Sequence, residues 1–425
     1  MATDADEAGR VLDEAEVRSV VAEAAEALTA RGGRLLVLIP DGTRTMPLPQ
    51  MVGLLDELVR PRLAALDYLV ALGTHRPMSD AQLSRLLGRP VVEGRFGSSR
   101  VFNHEAEQEE ALACLGVIPA EEIAELTGGR LREEVAVRLN RRVLDYDQLL
   151  VLGPVFPHEV VGFSGGNKYF FPGIAGPEVI HLTHWLGALL TNYELIGSGY
   201  TPVRAVIDRA ASMIDRPAFC LALVVTHAGT AGVFFGTPQE AWSAAAELSA
   251  RVHVVYKERP FRRVLSVMPT MYEDLWTAAK GMYKVEPVVE DGGEVVIYAP
   301  HLTEISYVHG RLLDEIGYHC RDYFLGQWER FEGYPGGILA HSTHVKGLGS
   351  YDPATGAETP RIRVTLATGI AEERCRRVNL GYLDPASVNV EALEGREDEG
   401  ILVVPRAGEM LFRVRPKGAA GGRRP

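Results

Sequence analysis

Several short stretches place ionisable side chains beside turn residues in patterns that could do chemistry. In "PDGTR", Arg44 offers a planar fork to a carboxylate or phosphate, and Asp41 can orient a neighbour or a hydroxyl. The plain alternative is a strand-ending turn. "GTHRPM" and "PHEVVGF" carry His75 and His158. A lone histidine is more often a structural hydrogen-bonder, but two on equivalent loop ends suit general acid and base work, because imidazole titrates near neutrality. "FSGGNKYFFPGIAG" sets Lys168 after Gly162, Gly165 and Gly166, whose N–H groups suit a phosphate. The spacing is not that of the GxxxxGK[ST] loop, so no nucleoside triphosphate follows from it. From these residues alone Lys168 is a phosphate partner, a Schiff-base nucleophile or a surface lysine. "HLTHW" spaces His181 and His184 one helical turn apart, which serves a metal or, more commonly, capping and packing. His301, His309, His341 and His344 are weaker candidates, expected in strand-end loops.

These side chains need elements to hold them. "RLLVLIP", "LDYLVAL" and "DQLLVLGPVF" are short apolar runs that each end in a polar loop, with helical patterns between them. That order predicts an α/β fold with a largely parallel, buried sheet. Asp41, Arg44, His75, His158 and Lys168 all follow the carboxyl ends of expected strands, where open α/β sheets bind ligands. Helices are expected over "DEAEVRSVVAEAAEALTARGG", "SDAQLSRLLG" and "TPQEAWSAAAELSARV", the last with Thr237 as cap and Pro238 in the first turn. A polar, proline-bearing segment near Arg259 marks a domain boundary. The expected organisation is therefore an N-terminal α/β domain over 1–258, a C-terminal α/β domain over 259–416, and a disordered tail over 417–425. "GEVVIYAPHLTEIS" and "GGILAHSTHVKG" are expected to repeat the strand-then-loop pattern in the second domain.

The chain has 425 residues, 46% hydrophobic and 24% charged, with a net charge of -12. This balance opposes a nucleic-acid or anionic-membrane partner and favours small molecules. The opening "MATDADEAGR" is acidic and does not resemble a signal peptide, so a cytoplasmic location is expected. Cys114, Cys220, Cys320 and Cys375 are scattered without a CxxC pair, so neither a disulfide framework nor a thiolate metal site is signalled.

Taken in order, "PDGTR", "GTHRPM", "PHEVVGFSGGNKYFFPGIAGPEVIHLTH" and "WTAAKGM" resemble the nickel-pincer lactate racemase family, whose members interconvert stereoisomers of 2-hydroxy acids. The resemblance runs from about residue 34 past "EDGGEVVIYAP". It implies two α/β domains with a cofactor and active-site cleft between them. It also implies nickel in a pyridinium-3-thioamide-5-thiocarboxylic acid mononucleotide, bound covalently at Lys168, with Thr43, Ser164, Gly165 and Gly166 as further cofactor-binding residues. His184 matches the nickel ligand. The other donors, two sulfurs and a carbon, belong to the cofactor. A C2 proton of a 2-hydroxycarboxylate is too weakly acidic for unaided histidine, so its removal as hydride is easier once a base takes the hydroxyl proton. In the mechanism that the resemblance implies, the cofactor's pincer carbon would accept that hydride, and the resulting 2-keto acid would rotate and take it back on its other face. One base per enantiomer is implied, and His75 and His158 match that pair. Arg44 and Lys280 match the substrate-binding cations and Asp41 their supporting carboxylate. Lactate racemases carry Tyr-Gln before the second-domain lysine, where this chain has Trp276 and Thr277, so the expected substrate is another 2-hydroxy acid or a sugar acid. Cofactor-biosynthesis proteins are the expected macromolecular partners. Two other classes fit fewer residues: a zinc-dependent hydrolase using His158, His181 and His184, and a non-catalytic binder of a phosphorylated small molecule.

Overall fold

The computed structural model describes residues 2–4 and 10–416. The expected tail over 417–425 lies outside them. The chain divides into two compact units. One holds Met1–Phe156, Phe163–Ile180 and Gly199–Val252; the other holds Pro157–Gly162, His181–Ser198 and His253–Pro425.

The first unit is built on eight strands: β1 (Ala2–Asp4), β2 (Arg34–Ile39), β3 (Ala65–Val70), β4 (Arg95–Phe96), β5 (Ser99–Asn103), β6 (Gln148–Pro154), β7 (Ala218–Thr226) and β8 (Gly229–Gly236). Their order is β1-β8-β7-β6-β2-β3-β5-β4. The β7-β6-β2-β3-β5 stretch is parallel, and antiparallel strands lie at both edges. Leu35 to Ile39 are all 0% exposed, which is what a central strand covered on both faces requires and why the run is continuously apolar. The expected helices form: Glu14–Thr29 is capped by Asp13, Asp80–Leu87 by Ser79, and Pro238–Val252 by Thr237 in a reciprocal pairing with Glu240. β2 has β3 on one side and β6 on the other, the chain filling the first side before it crosses back to the second. The loops after these three neighbouring strands therefore open at one sheet edge.

The second unit has five parallel strands: β9 (Phe261–Val267), β10 (Val289–Ala299), β11 (Arg363–Thr368), β12 (Gly381–Tyr382) and β13 (Ile401–Val404), in the order β12-β11-β10-β9-β13. "GEVVIYAPHLTEIS" is a strand and loop as expected. "GGILAHSTHVKG" is not: Gly336–Lys346 is a helix, and His341 and His344 sit on it rather than in a loop. It is buried on nearly every side from Gly337 to Lys346, so no apolar stripe separates it from a short buried strand in the sequence. Cys220, Cys320 and Cys375 are buried free thiols and Cys114 an exposed one. Among the described residues no helix is long and apolar enough to cross a membrane.

Candidate active site

In the first unit the ends of β2 and β3 bring Asp41, Thr43, Arg44 and His75 together. Asp41 Oδ1 accepts from the Thr43 N–H at 2.9 Å and from the Thr43 hydroxyl at 2.6 Å, a side-chain turn that shapes the loop. The Thr43 hydroxyl in turn accepts from Arg44 Nη1 at 2.7 Å, and the guanidinium lies 5.6 Å from the centre of the Phe156 ring. The other oxygen of Asp41 contacts Nδ1 of His75. Burial alone would raise the Asp41 pKa, but the charges of His75 and Arg44 and the hydrogen bonds from His75 and Thr43 outweigh it, holding the carboxyl well below its usual range. An ionised carboxylate at Nδ1 keeps that nitrogen protonated and leaves Nε2 as the acceptor, the arrangement of an oriented base.

The glycine loop follows β6. Gly165 and Gly166 have φ of +87° and +59°, which an L side chain adopts only under strain. An added Cβ would lie 2.5 Å from Val155 Cγ2 at Gly165 and 2.8 Å from Trp242 Cβ at Gly166. The glycines thus answer to a tight turn packed on the protein interior. Ser164 bridges the same loop, donating to the Pro154 carbonyl and accepting from the Phe156 N–H, each at 3.0 Å. Lys168 is half-buried on the 3₁₀ turn Gly166–Tyr169, its carbonyl accepting from the Gly173 N–H at 3.1 Å. Tyr169 lies against the sheet, where a Cβ on Gly153 would be 1.7 Å from its hydroxyl oxygen; this accounts for a glycine inside β6. One residue that sequence reasoning passed over controls this loop. Arg204 is 1% exposed, its guanidinium carbon is 3.8 Å from the centre of the Trp242 ring, and it donates to the carbonyls of Phe163 at 2.6 Å and Gly165 at 3.4 Å.

The second unit holds His158, His184, Lys280, Trp276 and Thr277. His158 is 5% exposed; its Nδ1 accepts from the Val160 N–H at 3.2 Å and lies 3.4 Å from Glu159 Oε2. Burial works to raise the Glu159 pKa, but the charges of His158, His344 and Lys280 overcome it and hold the carboxyl below its usual range. Lys280 is 6% exposed, with Nζ 4.6 Å from the centre of the Tyr272 ring. Thr277 is turned to local structure: its N–H and hydroxyl both donate to Asp274 Oδ1, at 3.0 and 2.8 Å, capping the short helix Leu275–Ala278. Trp276 packs on His341 at 4.1 Å and on His309 at 4.5 Å between ring centres. His184 is half-buried on the helix Pro177–Leu190, and His181, one turn before it, accepts at Nδ1 from the Gly337 N–H at 3.4 Å. His301 bonds through Nε2 to the Tyr272 carbonyl at 3.0 Å, a structural role. Among the described residues no three His, Cys, Asp or Glu side chains are arranged to hold a metal by themselves, His158, His181 and His184 included, which does not favour the hydrolase reading.

The lactate racemase N-terminal domain model matches residues 3–195. A lactate racemase from Thermoanaerobacterium thermosaccharolyticum is 25% identical over 275 residues, covering 63% of this chain and 60% of that protein. A second, from Lactiplantibacillus plantarum, is 29% identical over 159 residues, covering 36% of this chain and 33% of that protein. The chain thus spans less than two thirds of the curated relatives it matches. A crystal structure of a Thermotoga maritima protein superposes with a TM-score of 0.88 at 34% identity, covering 96% of this chain and 100% of the other. The lactate racemase apoprotein of Thermoanaerobacterium thermosaccharolyticum shares the fold, with a TM-score of 0.72 at 19% identity over 93% of this chain and 92% of that one. With Asp41, Arg44 and His75 gathered at strand ends in the first unit, and residues 3–195 matched by that domain model, the N-terminal part of this chain carries a lactate racemase N-terminal domain.

Proposed function

We propose that the chain is an isomerase that inverts the C2 centre of a 2-hydroxycarboxylic acid other than lactate alone, using a nickel-pincer nucleotide attached at Lys168. The observation that carries this is the contact of His75 Nδ1 with the ionised Asp41, which makes Nε2 a base for a substrate hydroxyl. The residues present fit the cofactor: Lys168 is a half-buried amine on a turn fixed by backbone hydrogen bonds, and His184 offers one imidazole, which suits a metal that arrives with donors of its own. When bound, that group supplies a reversible hydride acceptor.

The chain's own residues have the remaining work. His75 holds or releases the hydroxyl proton at Nε2 for one enantiomer, and His158 does so for the other. Arg44 and Lys280 neutralise the substrate carboxylate, and the near-complete burial of Lys280 strengthens that attraction by removing water. Asp41 and Thr43 keep Arg44 and His75 in place. Small 2-hydroxy acids, cofactor-biosynthesis proteins and a cytoplasmic location belong to the same proposal.

The test uses protein made alongside the cofactor-synthesis machinery. Peptide mapping should find a mononucleotide-sized addition on Lys168. His75→Ala and His158→Ala should each keep that addition yet lose about 10²–10⁴-fold in racemisation. Active, nickel-containing protein with unmodified Lys168 would refute the cofactor assignment. Near-normal turnover in either histidine variant would refute the two-base assignment.

A further inference from the structure

Trp276 and Lys280 are four residues apart across the consecutive helices Leu275–Ala278 and Lys280–Tyr283, so their side chains share one face. His341 and His344, three apart on the helix Gly336–Lys346, also share a face. The two faces meet: the His341 ring stacks on the Trp276 indole at 27°, and His309 packs on the same indole at 48°. Lys280 and His344 both lie within electrostatic reach of Glu159. His344 is 4% exposed, and its Nε2 is buried with no hydrogen-bond partner among the described residues. A buried polar atom in that state is costly, and a ligand group or an ordered water would satisfy it.

We propose that His344, beside His341 and His309 around Trp276, hydrogen-bonds a hydroxyl group that the substrate carries beyond its C2 centre, so that the preferred substrate is a polyhydroxy acid. This rests on the racemase reading above and goes further by naming the substrate class and the residues that select it. Burial, aided for His341 by the charges of His344 and His309, keeps the His341 pKa well below the ordinary imidazole range, and burial brings that of His344 to about 4. Both rings are therefore neutral near pH 7. A neutral imidazole presents one donor and one acceptor, which matches a hydroxyl; a second carboxylate would demand positive charge that these rings do not offer. A plain alkyl chain would leave His344 Nε2 unpaired.

Calorimetric titration of the holoprotein with D-gluconate, 2-hydroxyhexanoate and malate tests this. All three carry a C1 carboxylate and a C2 hydroxyl; they differ in further hydroxyls or a second carboxylate. Wild type should bind gluconate about ten-fold or more tighter than either of the others, the loss expected from one unmade buried hydrogen bond. His344→Leu should bring the gluconate and 2-hydroxyhexanoate affinities to within about two-fold of each other, whereas His344→Gln, which retains a donor and an acceptor, should keep most of the preference. Equal or tighter binding of 2-hydroxyhexanoate or malate by wild type overturns the proposal whatever the variants do, and leaves the racemase reading standing. A folded His344→Leu with undiminished preference overturns the assignment to His344. Failure of wild type to bind any of the three overturns both readings together.

Discussion

His75 meets Asp41 through Nδ1 and Oδ2, although the two residues are 34 positions apart in the chain. They meet because β2 and β3 are parallel neighbours, with Ile39 paired to Val70, so the loops that leave them start side by side. The second oxygen of Asp41 is already committed to the N–H and hydroxyl of Thr43. The carboxylate is thus held from both ends, and the imidazole tautomer is fixed with it.

Asp41→Asn keeps the size of the side chain and removes its charge. If the amide oxygen continues to accept from Thr43, its NH₂ turns toward His75 Nδ1 and moves the ring proton to Nε2, where a base needs its lone pair. Racemisation should fall by roughly 10²-fold or more, within the usual range for a general base, while the melting temperature changes little. Steady-state rates and a thermal melt check this. A variant within a few-fold of wild type would remove Asp41 from the orienting role.

Arg204 should matter to Lys168 without touching substrate. Its guanidinium pins the Phe163 and Gly165 carbonyls, stacked on Trp242, and lysine can reproduce neither the fork nor the stacking. Arg204→Lys should cost about 1.5–3 kcal/mol of stability, the range for hydrogen bonds to a charged group, and lower the fraction of Lys168 that carries the proposed cofactor. Urea unfolding and peptide mapping read the two effects. Wild-type stability with full modification would show that the loop holds its shape without the arginine.

Much of this arrangement was legible in the sequence because it is local. Strand ends followed by Asp-Gly, Gly-Thr-His or Gly-Gly announce their own turns, and β2, β3 and β6 formed where continuous apolar runs placed them. Arg204 was not legible, since its partners are backbone carbonyls about forty residues away and its own helix is ordinary in pattern. His341 and His344 were misplaced for a related reason: a helix buried all round shows no polar face, so its period is hidden. The glycines of the Lys168 loop were visible, but their cause was not, because Val155 and Trp242 come into contact with them only through the fold. The segments 157–162 and 181–198, which pack with the second unit, carry no compositional mark of that membership.

His104 offers a test of the fold that needs no cofactor. It is 1% exposed, bonds through Nε2 to the Ala175 carbonyl at 2.9 Å and lies 3.2 Å from the Asn140 amide nitrogen at Nδ1, so both ring nitrogens are satisfied in the neutral form. Burial, only partly opposed by the Ala175 bond, lowers its pKa from 6.5 to about 4. Between those values the unfolded chain binds a proton that the folded chain refuses. Stability therefore falls as pH drops from about 6.5, and the loss is complete once pH passes below about 4. His104→Gln can still donate to Ala175 and accept from Asn140, but it does not titrate. Between pH 7 and pH 5 wild type should lose about 2 kcal/mol more than this variant, from a shift of that size at about 1.4 kcal/mol per unit. Carboxylates also destabilise the protein toward acid, yet they are common to both chains, so the difference between two urea-unfolding series isolates the histidine. Parallel pH profiles would mean that His104 gains its proton in the folded state as readily as in the unfolded one, and the neutral, doubly bonded imidazole assigned to it would have to be abandoned.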